Sequence, residues 1–168
     1  GYDGKGQILV KTRDDIINHF LGKKLFPSIA EEVISFDREL SVIIVRDKEG
    51  NIKTFEPGEN VHENGILKTT TLPSLIDSKL KNNAKQIDKK IVDNLNYIGV
   101  MGVEFFSKEH ELFVNEIAPR VHNSGHWTMD GSYSSQFQQH IRAIMDLPLI
   151  STERHSDIVM YNLIGKLT

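Results

Sequence analysis

The sequence predicts an α+β fold, an antiparallel sheet with two long helices packed on it. Residues 39–45 and 52–55 are β-branched or apolar runs joined by Asp47-Lys48-Glu49-Gly50-Asn51, a hairpin turn signal. Residues 100–106 and 111–117 are two more such runs, separated by the polar Ser107-Lys108-Glu109-His110. Residues 75–96 place Ile76, Leu80, Ala84, Ile87, Ile91 and Leu95 three or four apart, with Lys, Asp and Asn between them, which is the period of an amphipathic helix. A second helix over residues 134–146 puts Phe137, Ile141, Ile144 and Met145 on one face, and Leu147-Pro148 closes it.

The remaining elements follow in chain order. Residues 7–12 alternate loosely and predict a strand, after which Thr12 is placed to cap a short helix with Asp14 and Asp15 in its first turn, ending near Gly22. Residues 29–34 predict a further strand. Pro73 and Ser74 mark the start of the first long helix, Asp77 echoes a capping box with a shorter acid, and Gly99 follows its end. Residues 118–132 predict a long loop, and residues 158–164 a last strand.

With 168 residues the chain can bury roughly 70% of its unfolded surface, leaving about 8,400 Å² accessible, enough for one real core. Net charge is −3 and Lys and Arg do not cluster, so nucleic acid and membrane surfaces are poor partners. No apolar run reaches the ~20 residues of a bilayer span. The chain has no cysteine, which excludes disulfides, thiolate metal sites and cysteine nucleophiles, and a reducing, cytoplasmic location is expected. It opens on Gly1 inside a glycine-rich turn with no targeting signal, and reads as part of something longer.

Glu104 and Glu116 each interrupt an apolar strand. Two such acids in paired strands either face water at an edge or hold a cation between them. At about 4 Å and an effective dielectric near 20 their repulsion would cost about 4 kcal/mol, which a bound Mg²⁺ would relieve. Side chains alternate across a strand, and a four-residue loop at 107–110 would send the two acids to opposite faces. A shared site therefore requires a three- or five-residue turn, or a bulge.

Past that strand, Arg120, His122, Asn123, His126 and Trp127 crowd a short polar stretch. Arg120 offers a planar fork for carboxylate or phosphate, and His122 and Asn123 add donors without a full charge. His126 and Trp127 read equally as packing residues. Gly1-Tyr2-Asp3-Gly4-Lys5-Gly6 is either a phosphate-approaching turn or an ordinary hairpin turn. His62 reads on its own as a half-exposed histidine, and His19, His110, His140 and His155 carry no assignment. A nucleophile elbow, HExxH and Walker A sequences are absent.

The stretches GYDGKGQ, ENVHENGIL, NEIAPRVHNSGHWT and SQFQQHIRAIMDLPL resemble the N5-carboxyaminoimidazole ribonucleotide synthetases, ATP-grasp ligases of purine biosynthesis. The resemblance spans the chain. It implies an ATP-grasp core over residues 35–168 and part of the small lid subdomain over residues 1–34, with the family's N-terminal domain and C-terminal module absent. It further implies ATP-dependent carboxylation of 5-aminoimidazole ribonucleotide with bicarbonate through carboxyphosphate, with ATP and Mg²⁺ bound, and pairing as a homodimer.

Carried over residue by residue, the resemblance gives Glu104 and Glu116 the metal, with Asn115 beside them. It makes Glu31, Glu32, Val33 and Ile34 the adenine hinge, Glu39 the ribose contact and His62 a neighbour of the nucleotide. Gly4, Gly6 and Gln7 belong to the loop over the phosphates, with Tyr2, Asp3 and Lys5 near the reacting centre. Many relatives have Arg at Lys5; Lys5 keeps the charge and loses the fork. Arg120, His122 and Asn123 match positions for bicarbonate, carboxyphosphate and the aminoimidazole nucleotide. The alternatives are another ATP-grasp carboxylase or ligase, or a catalytically silent nucleotide-binding fragment. The chain alone is expected to bind Mg·ATP weakly and to turn over poorly.

Overall fold

The computed structural model describes residues 7–21 and 27–165. Thr12 caps α1 (Arg13–Phe20) in a reciprocal capping box with Asp15, as the sequence predicts. The long β1 (Arg38–Arg46) then turns through Asp47, whose carboxylate accepts the Asn51 N–H at 2.8 Å, into β2 (Ile52–Thr54). Next come β3 (Gly58–Glu63), β4 (Ile66–Leu72), α2 (Ser78–Asn94), β5 (Gly99–Lys108) and β6 (Glu111–Ala118). After them a 3-10 turn (Asn123–Gly125), α3 (Thr128–Gly131), α4 (Gln136–Ile144) and β7 (Ile158–Tyr161) complete the chain.

Among the described residues seven strands form one sheet in the order β6-β5-β1-β3-β4-β7, with β2 beside β1, and the pairings are antiparallel. β1 pairs along its whole length with β5, and divides its other edge between β3 and β2. Alternation gives it two faces. Leu40, Val42 and Ile44, with Met101, Val103 and Phe105 of β5, pack under Leu80, Ala84 and Val92 of α2. Ile43, Val45 and Val100 pack on the other face with Phe55, Trp127 and Ala143 of α4. Each fully buried Val, Leu, Ile, Met or Phe among them contributes about 1.5–3 kcal/mol. Further along that second face polar side chains appear, with Glu39 and Ser41 on β1 and Glu104 opposite Ser41 on β5.

Several expectations are corrected. Residues 7–12 and 29–34 form no strand: a strand needs a neighbour for its backbone groups, and these runs pair with none among the described residues. The strands β3 and β4 were not anticipated, although Asn64-Gly65, both at positive φ, is the strongest short hairpin signal. The cap of α2 is Asp77, whose carboxylate accepts the Leu80 N–H at 2.8 Å, while Ser74 instead donates to the Pro57 carbonyl. The 118–132 stretch holds two helical turns rather than a loop. The largest departure is α4. Its buried residues are Gln136, Gln139 and Ala143, while Phe137, Ile141, Ile144 and Met145 stay exposed. The accessible surface, 11108 Å², exceeds the expectation from chain length, and α1 buries none of its residues. No helix among the described residues is long and apolar enough to cross a membrane.

Asp88 lies on the buried stripe of α2, fully enclosed, with neither carboxylate oxygen hydrogen-bonded. Burial pushes its carboxyl from the ordinary 3.8 up to about 8. Between those values the folded chain holds a proton that the unfolded chain releases, so stability falls as pH rises from about 4 to about 8, by at most about 1.4 kcal/mol per unit. Urea unfolding of Asp88→Asn between pH 5 and pH 8 should lose that slope; slopes equal to wild type would show that Asp88 carries no such load.

Candidate functional site

The β5–β6 hairpin delivers the two carboxylates. Lys108 pairs with Glu111 around a two-residue turn whose Glu109 has φ 54°, and Phe106 faces Phe113. Continued unchanged, this register would set Asn115 opposite Glu104 and point Glu116 to the far face. A bulge intervenes: Phe105 faces Val114, but Glu104 faces Glu116, so Asn115 is the extra residue. Strand parity had required such a device, and the bulge is the one used.

Glu104 and Glu116 differ in surroundings. The Glu104 side chain is 10% exposed and that of Glu116 52%. From β3, which joins the sheet beside β1, His62 reaches both Glu39 and Glu104: its Nδ1 is 2.9 Å from Glu39 Oε2 and its Nε2 3.9 Å from Glu104 Oε1. A second register shift, between Val61 and His62, precedes this histidine. His122 enters from the opposite side, with Nδ1 3.9 Å from Glu104 Oε1 and Nε2 3.9 Å from Glu116 Oε1. Ser124 Oγ lies 2.8 Å from His122 Nδ1. A side chain at Gly102 would put its Cβ 2.7 Å from His122 Cβ, so the imidazole sits directly on the β5 backbone.

Burial pushes the Glu104 carboxyl up to about 7; His62 and Arg120 oppose this, while the Glu116 and Glu39 charges reinforce it. His62 moves up, chiefly because Glu39 accepts its proton in a hydrogen bond. His122 is pushed down to about 4 by burial, helped by the positive charge of Arg120 and by His126 and His62, so it is neutral at pH 7. A carboxyl strained toward neutrality beside two others is a place where a hard divalent cation fits. No group of three or more His, Cys, Asp or Glu suited to a metal occurs among the described residues. Any cation held between Glu104 and Glu116 would have to take the rest of its coordination from a ligand or water, as Mg²⁺ on phosphates does.

The structure thus brings Glu39, His62, Glu104, Glu116 and His122 together. Asn115 is exposed at the bulge, and Arg120 is exposed with Nη1 donating to the Val121 carbonyl at 3.0 Å. Asn123 opens the 3-10 turn, its Oδ1 accepting the Ser124 N–H at 2.9 Å. Trp127 is a packing residue, edge-on to Phe55, and His126 stacks on Phe137. Glu31, Glu32, Val33 and Ile34 lie in a mostly exposed segment without regular structure ahead of β1. Gln7 is exposed; Tyr2, Asp3, Gly4, Lys5 and Gly6 lie outside the described residues. Sequence reasoning missed Ser41, Asn60 and Thr70, a buried cluster in which both hydroxyls donate to Asn60 Oδ1. It also missed His140, which accepts the Val100 N–H at 3.0 Å, and Gln136. Their signal is the polar spacing of Gln136, Gln139 and His140 on one side of an otherwise amphipathic helix.

Comparison with known proteins identifies the fold family. The pattern of the ATP-grasp domain matches residues 1–137. The N5-carboxyaminoimidazole ribonucleotide synthase of Brucella melitensis is 49% identical over 168 residues, covering 98% of this chain and 46% of that protein. The structure of carboxyaminoimidazole ribonucleotide synthase from Aspergillus clavatus complexed with ATP has a TM-score of 0.88 at 35% identity, over 98% of this chain and 44% of its own. N5-carboxyaminoimidazole synthetase from Staphylococcus aureus complexed with ADP gives 0.87 at 37% identity, over 99% of this chain and 44% of its own. The chain spans less than half the length of these relatives. With its antiparallel sheet, its paired strand carboxylates and a domain match over most of its length, the chain belongs to the ATP-grasp family.

Proposed function

We propose that this chain is the nucleotide-binding core of an enzyme that carboxylates 5-aminoimidazole ribonucleotide with bicarbonate at the expense of ATP. The observation that carries this reading is the 49% identity, over nearly the whole chain, to a protein named for making that product. Glu104 and Glu116, with the Asn115 amide beside them, are the residues that would hold Mg²⁺. Bound there, the ion would neutralise phosphate charge and orient the phosphoryl group in transfer.

The chain's own residues supply positioning and charge, which is most of what phosphoryl transfer asks of a protein. Glu39 presents a carboxylate to the ribose hydroxyls and holds His62 against the nucleotide. Arg120, bonded through Nη1 to one carbonyl, keeps the other donors of its fork for an anionic substrate. His122, neutral by burial, donates or accepts beside two carboxylates without adding charge, and Asn123 adds an amide next to it. Residues 1–34 act as part of the lid, with Glu31, Glu32, Val33 and Ile34 as the adenine hinge; the exposure of residues 29–33, against a core that starts at Leu40, supports a segment separate from the sheet. Tyr2, Asp3, Gly4, Lys5, Gly6 and Gln7 complete the phosphate side. A cytoplasmic homodimer belongs to the same reading, its supports being the absence of cysteine and the family resemblance.

With this chain replacing the matching segment of the Brucella melitensis relative, bicarbonate-dependent ADP release from Mg·ATP should be stimulated by 5-aminoimidazole ribonucleotide; release indifferent to that nucleotide would overturn carboxylation. Glu116→Gln should abolish Mg²⁺-dependent ADP binding in calorimetry with the far-UV circular dichroism unchanged, and unaltered affinity would remove the metal assignment. Arg120→Lys should lower turnover more than ATP affinity, because a point charge cannot make a bidentate contact. Equal losses in both, measured by steady-state kinetics, would make Arg120 structural.

A further inference from the structure

The helix α4 turns polar side chains inward, and the first of them, Gln136, is fully buried. Its amide is committed to one residue. Oε1 accepts the His122 N–H at 2.9 Å, and Nε2 donates to the His122 carbonyl at 2.6 Å. A fork that holds both backbone polar groups of one residue fixes where that residue stands and how its peptide planes are turned. Gln136 is itself braced: its backbone N–H donates to Thr128 Oγ1 at 2.9 Å, and that hydroxyl donates to the Gly125 carbonyl at 2.7 Å. A Cβ on Gly125 would lie 2.6 Å from Gln136 Oε1, so the turn after His122 closes directly on the fork.

On its other side His122 rests on Gly102 of β5, where no side chain fits. It is thus clamped between the sheet and α4, with its ring nitrogens 3.9 Å from Glu104 Oε1 and from Glu116 Oε1. Only a side chain with one donor and one acceptor at this reach satisfies both His122 groups; a thioether offers no donor, and an ionised carboxylate would set an acceptor against the His122 carbonyl. We propose that Gln136 is a positioning residue that sets His122 between the two carboxylates, acting through the His122 backbone and touching no substrate. Its kinetic consequence rests on the carboxylation proposed above, whereas its structural consequence rests on the fork alone.

In the full-length enzyme, Gln136→Met keeps the side chain's length and removes the fork. The rate of ADP release stimulated by 5-aminoimidazole ribonucleotide should fall about 10- to 100-fold, the cost of a misplaced group near the chemistry, with the KM for ATP within about twofold. Gln136→Glu, which when protonated keeps one donor and one acceptor for the two His122 groups, should retain more turnover than Gln136→Met. Native-state hydrogen exchange supplies a readout free of turnover: the His122 amide should lose protection in Gln136→Met while the β5 amides keep theirs. Unchanged His122 protection would overturn the proposal, as would a parallel loss of turnover, ATP affinity and β5 protection, which marks a fold defect. If the wild-type enzyme shows no stimulation by 5-aminoimidazole ribonucleotide, carboxylation fails, and exchange at His122 still decides the role of Gln136.

Discussion

Side chains alternate along a strand, and a carboxylate one residue out of register points to the wrong face of the sheet. The site depends on how the β5–β6 hairpin meets that constraint. Its tight turn sets a register that would separate Glu104 from Glu116, and the single extra residue Asn115 restores them to direct opposition. Without the bulge there would be one buried acid near His62 and another facing away, and no reason for His122 to lie within reach of both. A strand irregularity of this kind re-aims a side chain at the expense of ladder hydrogen bonds, and its position beside the proposed chemistry is consistent with that use.

The second face of the sheet shows the same economy at larger scale. One half is covered by Trp127 and α4 and packed with Ile43, Val45 and Val100; the other carries Glu39, Ser41 and Glu104. Since β1 runs through both halves, the apolar contacts that hold the sheet also set the spacing of the polar groups. The helix α4 links them. Gln136 grips His122, Gln139 bonds the Ser134 hydroxyl and the Ile150 carbonyl, and His140 accepts the Val100 N–H of β5. Inward polar groups on a helix are tolerated here because each ends on a partner.

Two buried acids illustrate why burial alone does not define a site. Asp88 and Glu104 are both pushed well above the usual carboxylate range, and in both desolvation is the leading cause. Around Glu104 stand His62, His122, Glu116 and Glu39, so its charge is one member of a set. Asp88 has no hydrogen-bond partner and lies on the apolar stripe of α2, a local conflict with no companion residues to share it.

Local chemistry by itself determined a good deal. The period of residues 75–96, the Asp47–Asn51 turn, the Thr12 cap and the two carboxylates in apolar strands were all readable, because caps, turns and amphipathic periods act over a few residues. Parity even showed that a shared face for Glu104 and Glu116 needs a three- or five-residue turn or a bulge, and the bulge is what the fold uses. Tertiary structure decided the rest, since pairing and burial are set by residues distant in sequence. Residues 7–12 and 29–34 have strand-like composition and no strand to pair with, whereas residues 58–63 and 66–72 become strands because β1 and β7 lie beside them. The apolar face of α4 was legible, but that the helix buries its glutamines instead follows from where His122 and residue 150 lie. Only the folded chain brings those backbone groups to Gln136 and Gln139, and an unpaired buried peptide group costs more than an exposed isoleucine.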